Sequence, residues 1–306
     1  MDSSERELPG GVASEVRIID SPQGPVVLKR ALGKLKVAAD WFSDPARSSI
    51  EVAALRAASE LLGAHAVPRV LQVDEASNSF TMNLIEQRFR NWKLELLAGN
   101  LDPRTATAVG SLLGSWHRMS TGRADLEAKF KDTTFFDELR LEPFFRKVAN
   151  RRPEISSHIH SVIEGMARRK QALVHGDFSP KNLLVDSAEV VLLDFEVAHW
   201  GDPRFDVAFL LTHLLLKAMR RGVNKASIDA LSMQFLGAYR ENGLPVLDAE
   251  LARILACLVL ARIDGDSPVD YLVDLDPPAV RCLAERILLS PPADPRLLFT
   301  TAASSR

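Results

Sequence analysis

The sequence predicts an α+β chain in two parts, a strand-rich part of residues 1–86 followed by a larger, mainly helical part of residues 87–306. Three patterns carry this. Short runs rich in β-branched residues, at 16–19, 25–28, 68–71 and 80–85, are bounded by Gly, Pro, Ser and Asn and read as antiparallel strands. After Asp102 the apolar residues recur at helical spacing. Between these regions, two apolar runs at 183–185 and 190–193 are joined by Asp186-Ser187-Ala188-Glu189 and read as a β-hairpin.

Composition narrows the classes of function. The 306 residues are 46% hydrophobic and 25% charged, which is ordinary for a packed globular chain long enough for two lobes. Lys plus Arg (38) nearly balances Asp plus Glu (40), so nothing points to nucleic acid or an anionic membrane surface. Apolar runs are short and broken by charge, far under the roughly 20 residues that span a bilayer. Residues 1–8 are polar and acidic, unlike a signal peptide, so a cytoplasmic protein is expected. Cys257 and Cys282 both lie in helical apolar patterns and read as buried thiols of a reducing compartment.

Taken in order, Gly10-Gly11 precedes the first strand pair, with Ser14 at its start; glycines there suit either close approach to a phosphate or a plain turn. Lys29 closes the strand Val26-Val27-Leu28-Lys29. Asp44-Pro45 supplies an N-cap and first-turn proline for a helix that runs to Leu61 and stops at Gly63, carrying Glu51 and Glu60 on different faces. The connection 32–42 is long for a plain link. Residues 74–78 form a turn between the last two strands of a five-stranded sheet, and the chain leaves that sheet through Met82, Asn83 and Leu84, a hinge at about 82–87.

In the second part, Asp102-Pro103 opens a helix whose stripe is Val109, Leu112, Leu113, Trp116 and Met119, with His117 on its edge as a packed structural residue. Residues 130–155 carry Arg146, Lys147, Arg151 and Arg152, either the solvated face of a helical hairpin or a substrate-contacting segment. Residues 207–219 are apolar on nearly every face and read as a buried helix; helices near 227–240, 248–262 and 278–289 follow, and the tail past Ser290 reads as mobile.

The chemistry concentrates in residues 173–211. A hairpin at 183–193 brings Asp177 and Asn182 from the entering loop, and Asp194 from the strand end, to one place. Carboxylate and amide oxygens of this kind suit Mg²⁺, which keeps phosphate oxygens and waters in its shell. Asp177-x-x-x-x-Asn182 reproduces the spacing of the protein-kinase catalytic loop, and Asp194-Phe195 stands where its metal-binding Asp-Phe pair would stand.

His175-Gly176-Asp177, Asn182, Asp194-Phe195-Glu196, Gly201-Asp202-Pro203 and Asp206 together resemble the aminoglycoside phosphotransferase family, the small-molecule branch of the protein-kinase-like fold. Gly176 stands where protein kinases have the Arg that answers a phosphorylated activation loop, and no A-P-E motif follows. The resemblance implies a bilobal enzyme with an antiparallel-sheet N-lobe, ATP and Mg²⁺ in the cleft, and a small-molecule hydroxyl substrate. It implies Gly10, Gly11 and Ser14 over the phosphates, Lys29 on the α and β phosphates and paired with Glu51 in preference to Glu60, and adenine on the backbone of Met82, Asn83 and Leu84. Asp177 would be the catalytic base, Asn182 and Asp194 the metal ligands, and His175, Glu196, Asp202 and Asp206 structural support. Lys181 would help neutralise phosphate or stand as a surface lysine.

Residues 28–37 are similar to the methylthioribose kinase branch of that family, whereas Phe195 and Asn182 depart from it. The implied reaction is transfer of the γ-phosphoryl group of ATP to a hydroxyl of a sugar or thio-sugar. The alternatives are a choline-, homoserine- or aminoglycoside-type kinase, and a catalytically silent nucleotide-binding regulator. The Arg/Lys-rich segment 130–155 argues against a polyamine antibiotic.

Overall fold

The computed structural model of the protein describes residues 6–8, 12–22, 24–36, 41–266 and 268–301. Its N-terminal part is a five-stranded antiparallel sheet in the order β1-β2-β3-β5-β4, built from β1 (Arg6–Glu7), β2 (Ser14–Ser21), β3 (Gly24–Ala31), β4 (Val70–Asp74) and β5 (Ser79–Asn83). Helix α1 (Arg47–Leu62) interrupts the strands between β3 and β4 and packs Val52, Leu55 and Leu61 into the core. Gly63 ends it at φ 92. The helix begins at Arg47, two residues after Pro45, and the Asp44 carboxylate accepts from the Ala46 N–H in the turn that leads into it.

After Asn83 the chain crosses to β6 (Arg90–Asn91), which pairs with β8 (Leu183–Asp186); β8 in turn pairs with β9 (Glu189–Leu192) in the expected hairpin. Helices α2 (Trp92–Ala98), α3 (Pro103–Ser120), α4 (Ala124–Phe130) and the single turn α5 (Thr134–Phe136) follow β6. A π-helix (Asp137–Arg146), α6 (Lys147–Arg151) and α7 (Ser156–Arg168) lead to β7 (Ala172–Val174), which pairs with β10 (His199–Gly201). The chain finishes with α8 (Arg204–Ala218), α9 (Lys225–Asn242), α10 (Ala249–Asp264), α11 (Pro277–Leu289) and α12 (Leu297–Thr301). This is the bilobal α+β architecture that the sequence predicts.

The capping chemistry is local. Asp102, Asp248 and Asp276 each accept from a backbone N–H in the first turn of α3, α10 and α11. Helix α3 lies along α9 so closely that a Cβ at Gly110 would stand 2.4 Å from the Phe235 carbonyl. The α3 stripe buries Val109, Leu113 and Trp116, but Met119 is 45% exposed, because it stands two turns after the half-buried Leu112 on the edge of the stripe while Ser120 takes the buried position. Helix α8 is buried along almost its whole length.

Three further expectations are corrected. Cys257 is buried, but Cys282 sits on the outer face of α11 and is exposed. The tail past Ser290 is packed as far as α12, where Leu298 and Phe299 are buried. Residues 137–146 form a π-helix rather than an arm of a helical hairpin. Pro143 has no N–H to give the Leu139 carbonyl one turn back, and the Arg140 guanidinium donates to that carbonyl at 2.7 Å. Among the described residues no helix is long and apolar enough to cross a membrane.

His199 on β10 gives a pH dependence. It is 4% exposed, its ring stacks on Phe136 with centroids 4.0 Å apart, and its Nδ1 donates to the Val197 carbonyl at 3.0 Å. Burial pushes its pKa from 6.5 down to about 4. A histidine held neutral stabilises the fold above pH 6.5, and that stability is lost as the pH falls toward 4, because the unfolded chain takes up the proton first. Urea denaturation at pH 5 should therefore show about 2 kcal/mol less stability from this group than at pH 7. His199→Gln should flatten the slope between those values, and an unchanged slope would remove His199 as its source.

Candidate active site

The loop after β7 is held by backbone requirements before any side chain acts. Gly176 lies at φ +79, and a Cβ there would stand 2.8 Å from both Cγ2 and the carbonyl of Val197, so only glycine fits. The Asp206 carboxylate, fully buried at the start of α8, accepts from the His175 N–H at 2.7 Å and the Gly176 N–H at 2.8 Å. His117 adds a third bond at 3.1 Å through Nε2, while its Nδ1 faces the Tyr239 hydroxyl at 2.9 Å, which is the structural role expected of it. His175 accepts from the Asp177 N–H through Nδ1 and bonds the Leu193 carbonyl through Nε2 at 3.0 Å. Burial lowers its pKa and keeps the ring neutral. Asp202 accepts from the Arg204 N–H at 3.0 Å and pairs with its guanidinium, fixing the turn into α8.

Asp177 is 2% exposed and its Oδ2 meets three donors: Lys181 Nζ at 2.8 Å, Asn182 Nδ2 at 2.9 Å and Arg140 Nη2 at 3.2 Å. Burial alone would raise its pKa, but the Lys181 and Arg140 charges outweigh that and hold it below the ordinary carboxylate range. Asp177 is thus an anion near neutral pH, able to accept a hydrogen bond from a hydroxyl in the cleft. Arg140 also donates to the Gly176 carbonyl at 2.7 Å, so one guanidinium reads both ends of the Gly176-Asp177 pair.

The second cluster joins the two lobes. Lys29 Nζ lies 2.7 Å from Glu51 Oε1 and 2.6 Å from Asp194 Oδ1, whereas Glu60 faces Arg123 on the surface at 3.1 Å. Burial opposes the Lys29 charge, but Asp194 and Glu51 override it and push its pKa up. Burial also works against the Asp194 charge, and Lys29, then Lys181, reverse that and push its pKa well down. Burial raises the Glu51 carboxyl. Asp194 adopts φ 70, a left-handed conformation that a non-glycine residue rarely takes and that aims its carboxylate from the strand end into the cleft. Glu196 is bound by Nε of Arg47 at 3.0 Å; Arg47 is fully buried and also donates to the carbonyls of Ala13, Leu32, Ser43 and Asp44.

The two clusters face one cavity of about 260 Å³, with Asp177, Lys181, Asp194, Glu196, Arg140 and Arg262 among its walls. Its roof comes from the N-terminal part. Val12 and Ala13 precede β2, and the long β3–α1 connection binds them through Leu32 N–H to the Ala13 carbonyl and Lys36 N–H to the Val12 carbonyl. Leu35 and Trp41 of that connection pack on Leu139 of the π-helix, and Ser43 donates to Glu138 at 3.1 Å. This explains the length of the connection. Gly10 and Gly11 lie outside the described residues; Ser14 is buried at the start of β2. Met82 and Asn83 end β5; the Asn83 side chain accepts from the Arg69 N–H and donates to the Leu84 carbonyl, and the Asn83 N–H donates to the Arg69 carbonyl.

Among the described residues no cluster of three or more His, Cys, Asp or Glu forms a protein cage for a metal. One carboxylate and one amide oxygen, from Asp194 and Asn182, suit a hard cation completed by substrate phosphates and water, which is Mg²⁺ chemistry. Asn182 donates through Nδ2 to Asp177, to its carbonyl at 3.0 Å and its carboxylate at 2.9 Å, so its side chain offers only the carbonyl oxygen to a cation.

Arg47, Arg140 and Arg262 are functional candidates that the sequence reading missed. A basic residue in the first turn of a helix opposes the macrodipole, and that was the available signal for Arg47. For Arg140 the signal was Pro143 inside a helical pattern. The basic residues singled out by the sequence pair with carboxylates: Arg146 with Asp137, Arg152 with Glu154 and Glu285, and Lys147 and Arg151 with Asp266, which lines the cavity.

The methylthioribose kinase of Bacillus mycoides (strain KBAB4) is 24% identical over 253 residues, 72% of this chain and 63% of that protein. Methylthioribose kinase 2 of Oryza sativa subsp. japonica is 22% identical, covering 69% of this chain and 56% of that protein. The chain therefore spans less than two thirds of the length of these curated relatives. Among solved structures, amicoumacin kinase hAmiN in complex with AMP-PNP, Ca²⁺ and Ami superposes with a TM-score of 0.60 at 14% identity, over 93% of this chain and 87% of that one. A choline/ethanolamine kinase family protein from Mesorhizobium loti gives 0.52 at 18% identity, over 97% and 92%. Both likenesses establish the protein-kinase-like fold. The profile of the phosphotransferase enzyme family matches residues 4–244, and the chain belongs to that family.

Proposed function

We propose that this protein transfers the γ-phosphoryl group of Mg²⁺-ATP to a hydroxyl of a small polar metabolite, a sugar or thio-sugar. The observation that carries the reading is one cavity walled by both Asp177 and the Lys29-paired Asp194. Asp177 accepts or orients the attacking hydroxyl, Lys29 holds the α and β phosphates, and Glu51 fixes Lys29. The backbone at Met82, Asn83 and Leu84 receives adenine, and Val12, Ala13 and Ser14 cover the phosphates together with the glycines before them. When bound at Asn182 and Asp194, Mg²⁺ neutralises charge on the phosphate oxygens. His175, Asp202 and Asp206 hold the loop, and Glu196 with Arg47 ties the roof to the strand end.

Phosphoryl transfer has a loose transition state, so positioning and charge neutralisation matter more than a strong base, and a carboxylate with a depressed pKa suffices. A silent nucleotide-binding regulator has no use for an ordered Asp177. The methylthioribose kinases matched above favour a sugar-like acceptor.

The test is ADP release from Mg²⁺-ATP across sugars, thio-sugars, amino alcohols and aminoglycosides, with Asp177→Ala as the blank. Stimulation by one class that disappears in the blank is the expected result. Asp194→Ala should weaken Mg²⁺-dependent ATP binding by at least tenfold, about 1.4 kcal/mol; equal affinity would take Asp194 out of the metal site.

A further inference from the structure

Helix α1 reaches the strip 194–196 twice. Glu51 holds Lys29 at 2.7 Å, and Lys29 in turn holds Asp194 at 2.6 Å. One turn earlier on the same helix, Arg47 donates through Nε to Glu196 Oε2 at 3.0 Å. Phe195 stands between the two acidic residues and is fully buried, its ring centroid 4.5 Å from that of His175 and 5.7 Å from that of Trp116. Asp194 and Glu196 therefore leave the helical lobe from one anchored point, and each meets a different cation of the N-terminal part.

The two links fare differently when nucleotide enters. With Lys29 on the phosphates and Asp194 on Mg²⁺, each exchanges the other for a ligand, so that link opens as the site fills. Arg47 has nothing left to offer a ligand. It is fully buried, its Nη1 donates to the Ser43 and Asp44 carbonyls at 3.2 Å each, and its Nη2 donates to the Leu32 carbonyl at 2.9 Å and to that of Ala13. Only the planar fork of a guanidinium reaches four carbonyls and a carboxylate from one side chain, and its charge in so dry a place needs the Glu196 anion beside it. Ala13 and Glu196 are both walls of the cavity, so this link runs from roof to strip alongside the ligand rather than through it.

We propose that the Arg47–Glu196 pair alone holds Asp194 in register with the phosphate roof once Lys29 has released it. Glu196 is thereby a positioning residue that sets metal affinity without touching the metal. The inference rests on the nucleotide and metal assignments of the phosphotransfer reading above, and it gives the two ion pairs unequal parts: one exchanges with the ligand and the other stands.

The experiment is titration calorimetry of the full chain with AMP-PNP, once with Mg²⁺ and once with EDTA, below the melting range of every variant. Glu196→Ala should weaken binding tenfold or more with Mg²⁺ and leave the EDTA value nearly unchanged, because Arg47 still holds the roof carbonyls. Glu196→Gln, whose side-chain oxygen still accepts from Arg47 Nε, should recover most of that loss. Arg47→Lys should weaken binding under both conditions, since one ammonium cannot serve the roof and Glu196 together. Equal weakening with and without metal in Glu196→Ala overturns the proposal, since the pair would then be merely structural, and so does wild-type affinity in that variant. A tenfold loss in Glu196→Gln also overturns it, even where the alanine variant does not fold, because the Glu196 charge would then act on the metal itself. None of these readouts needs an acceptor. The expected pattern together with ADP release from no acceptor would refute phosphotransfer and keep Glu196 as a positioning residue of a nucleotide-binding protein. Wild-type binding that is equal with Mg²⁺ and with EDTA refutes the metal site on which both rest.

Discussion

Asp177→Ala is expected to lower turnover by roughly 10²–10⁴-fold while leaving Mg²⁺-ATP affinity nearly unchanged. The partition follows from which groups touch the residue. Its carboxylate is bound by Lys181, Arg140 and the side-chain N–H of Asn182, whose carbonyl oxygen stays available to a cation, whereas Lys29 and Glu51 pair on the nucleotide side without it. Alanine also leaves Arg140 without its anion, although the Gly176 and Leu139 carbonyls still accept two of its bonds. Asp177→Asn is the sharper probe, because it keeps the shape and removes the negative charge and the ability to take a proton. Both variants should bind nucleotide in a thermal-shift titration and fail in ADP release. Turnover equal to wild type in Asp177→Asn would refute the catalytic assignment.

The sequence disclosed which residues of the candidate site lie together because they are close in the chain and bound to fixed backbone geometry. Asp177, Asn182 and Asp194 are brought together by a single hairpin, and a two-residue period with a short turn is a local pattern. Lys29 and Glu51 were legible through strand and helix patterns, and their ion pair spans 22 residues. The acceptor side was not legible. Arg140 reaches Asp177 only because Pro143 forces a wide helical turn, and Arg262 arrives from α10, 85 residues past Asp177, onto rings from two other elements. Long-range packing of this kind leaves no periodic trace. Arg146, Lys147, Arg151 and Arg152, which the sequence leaves open between a solvated face and a substrate contact, pair with Asp137, Asp266 and Glu285, and of these carboxylates Asp266 lines the cavity. Met119 and Cys282 lie on the outer sides of helices whose buried faces run on past them, through Ser120 and through Leu283, Ala284, Ile287 and Leu288.

Asp206→Asn should destabilise the protein by about 3–5 kcal/mol and lower its Tm by roughly 10 °C. Both carboxylate oxygens accept backbone N–H groups, Oδ2 from His175 and Oδ1 from Gly176, and His117 bonds Oδ2 as well. Burial works against the charge, but the hydrogen bonds from His117 and from the His175 N–H hold the carboxyl below its ordinary range. Asparagine has the same outline and only one accepting oxygen, so in either orientation its NH₂ faces a buried backbone N–H. That unsatisfied donor costs about 1–3 kcal/mol, and the loss of charge-assisted bonds adds to it. The loss should extend to catalysis at temperatures where the variant is folded, since Asp206 positions the backbone that carries Asp177 and a shift of about 1 Å in a reacting group can cost roughly 10²-fold. Urea denaturation followed by ADP release at 15 °C separates the two effects. Stability within about 1 kcal/mol of wild type would show that water replaces the cradle, and normal stability with normal turnover would remove Asp206 from the support of the loop altogether.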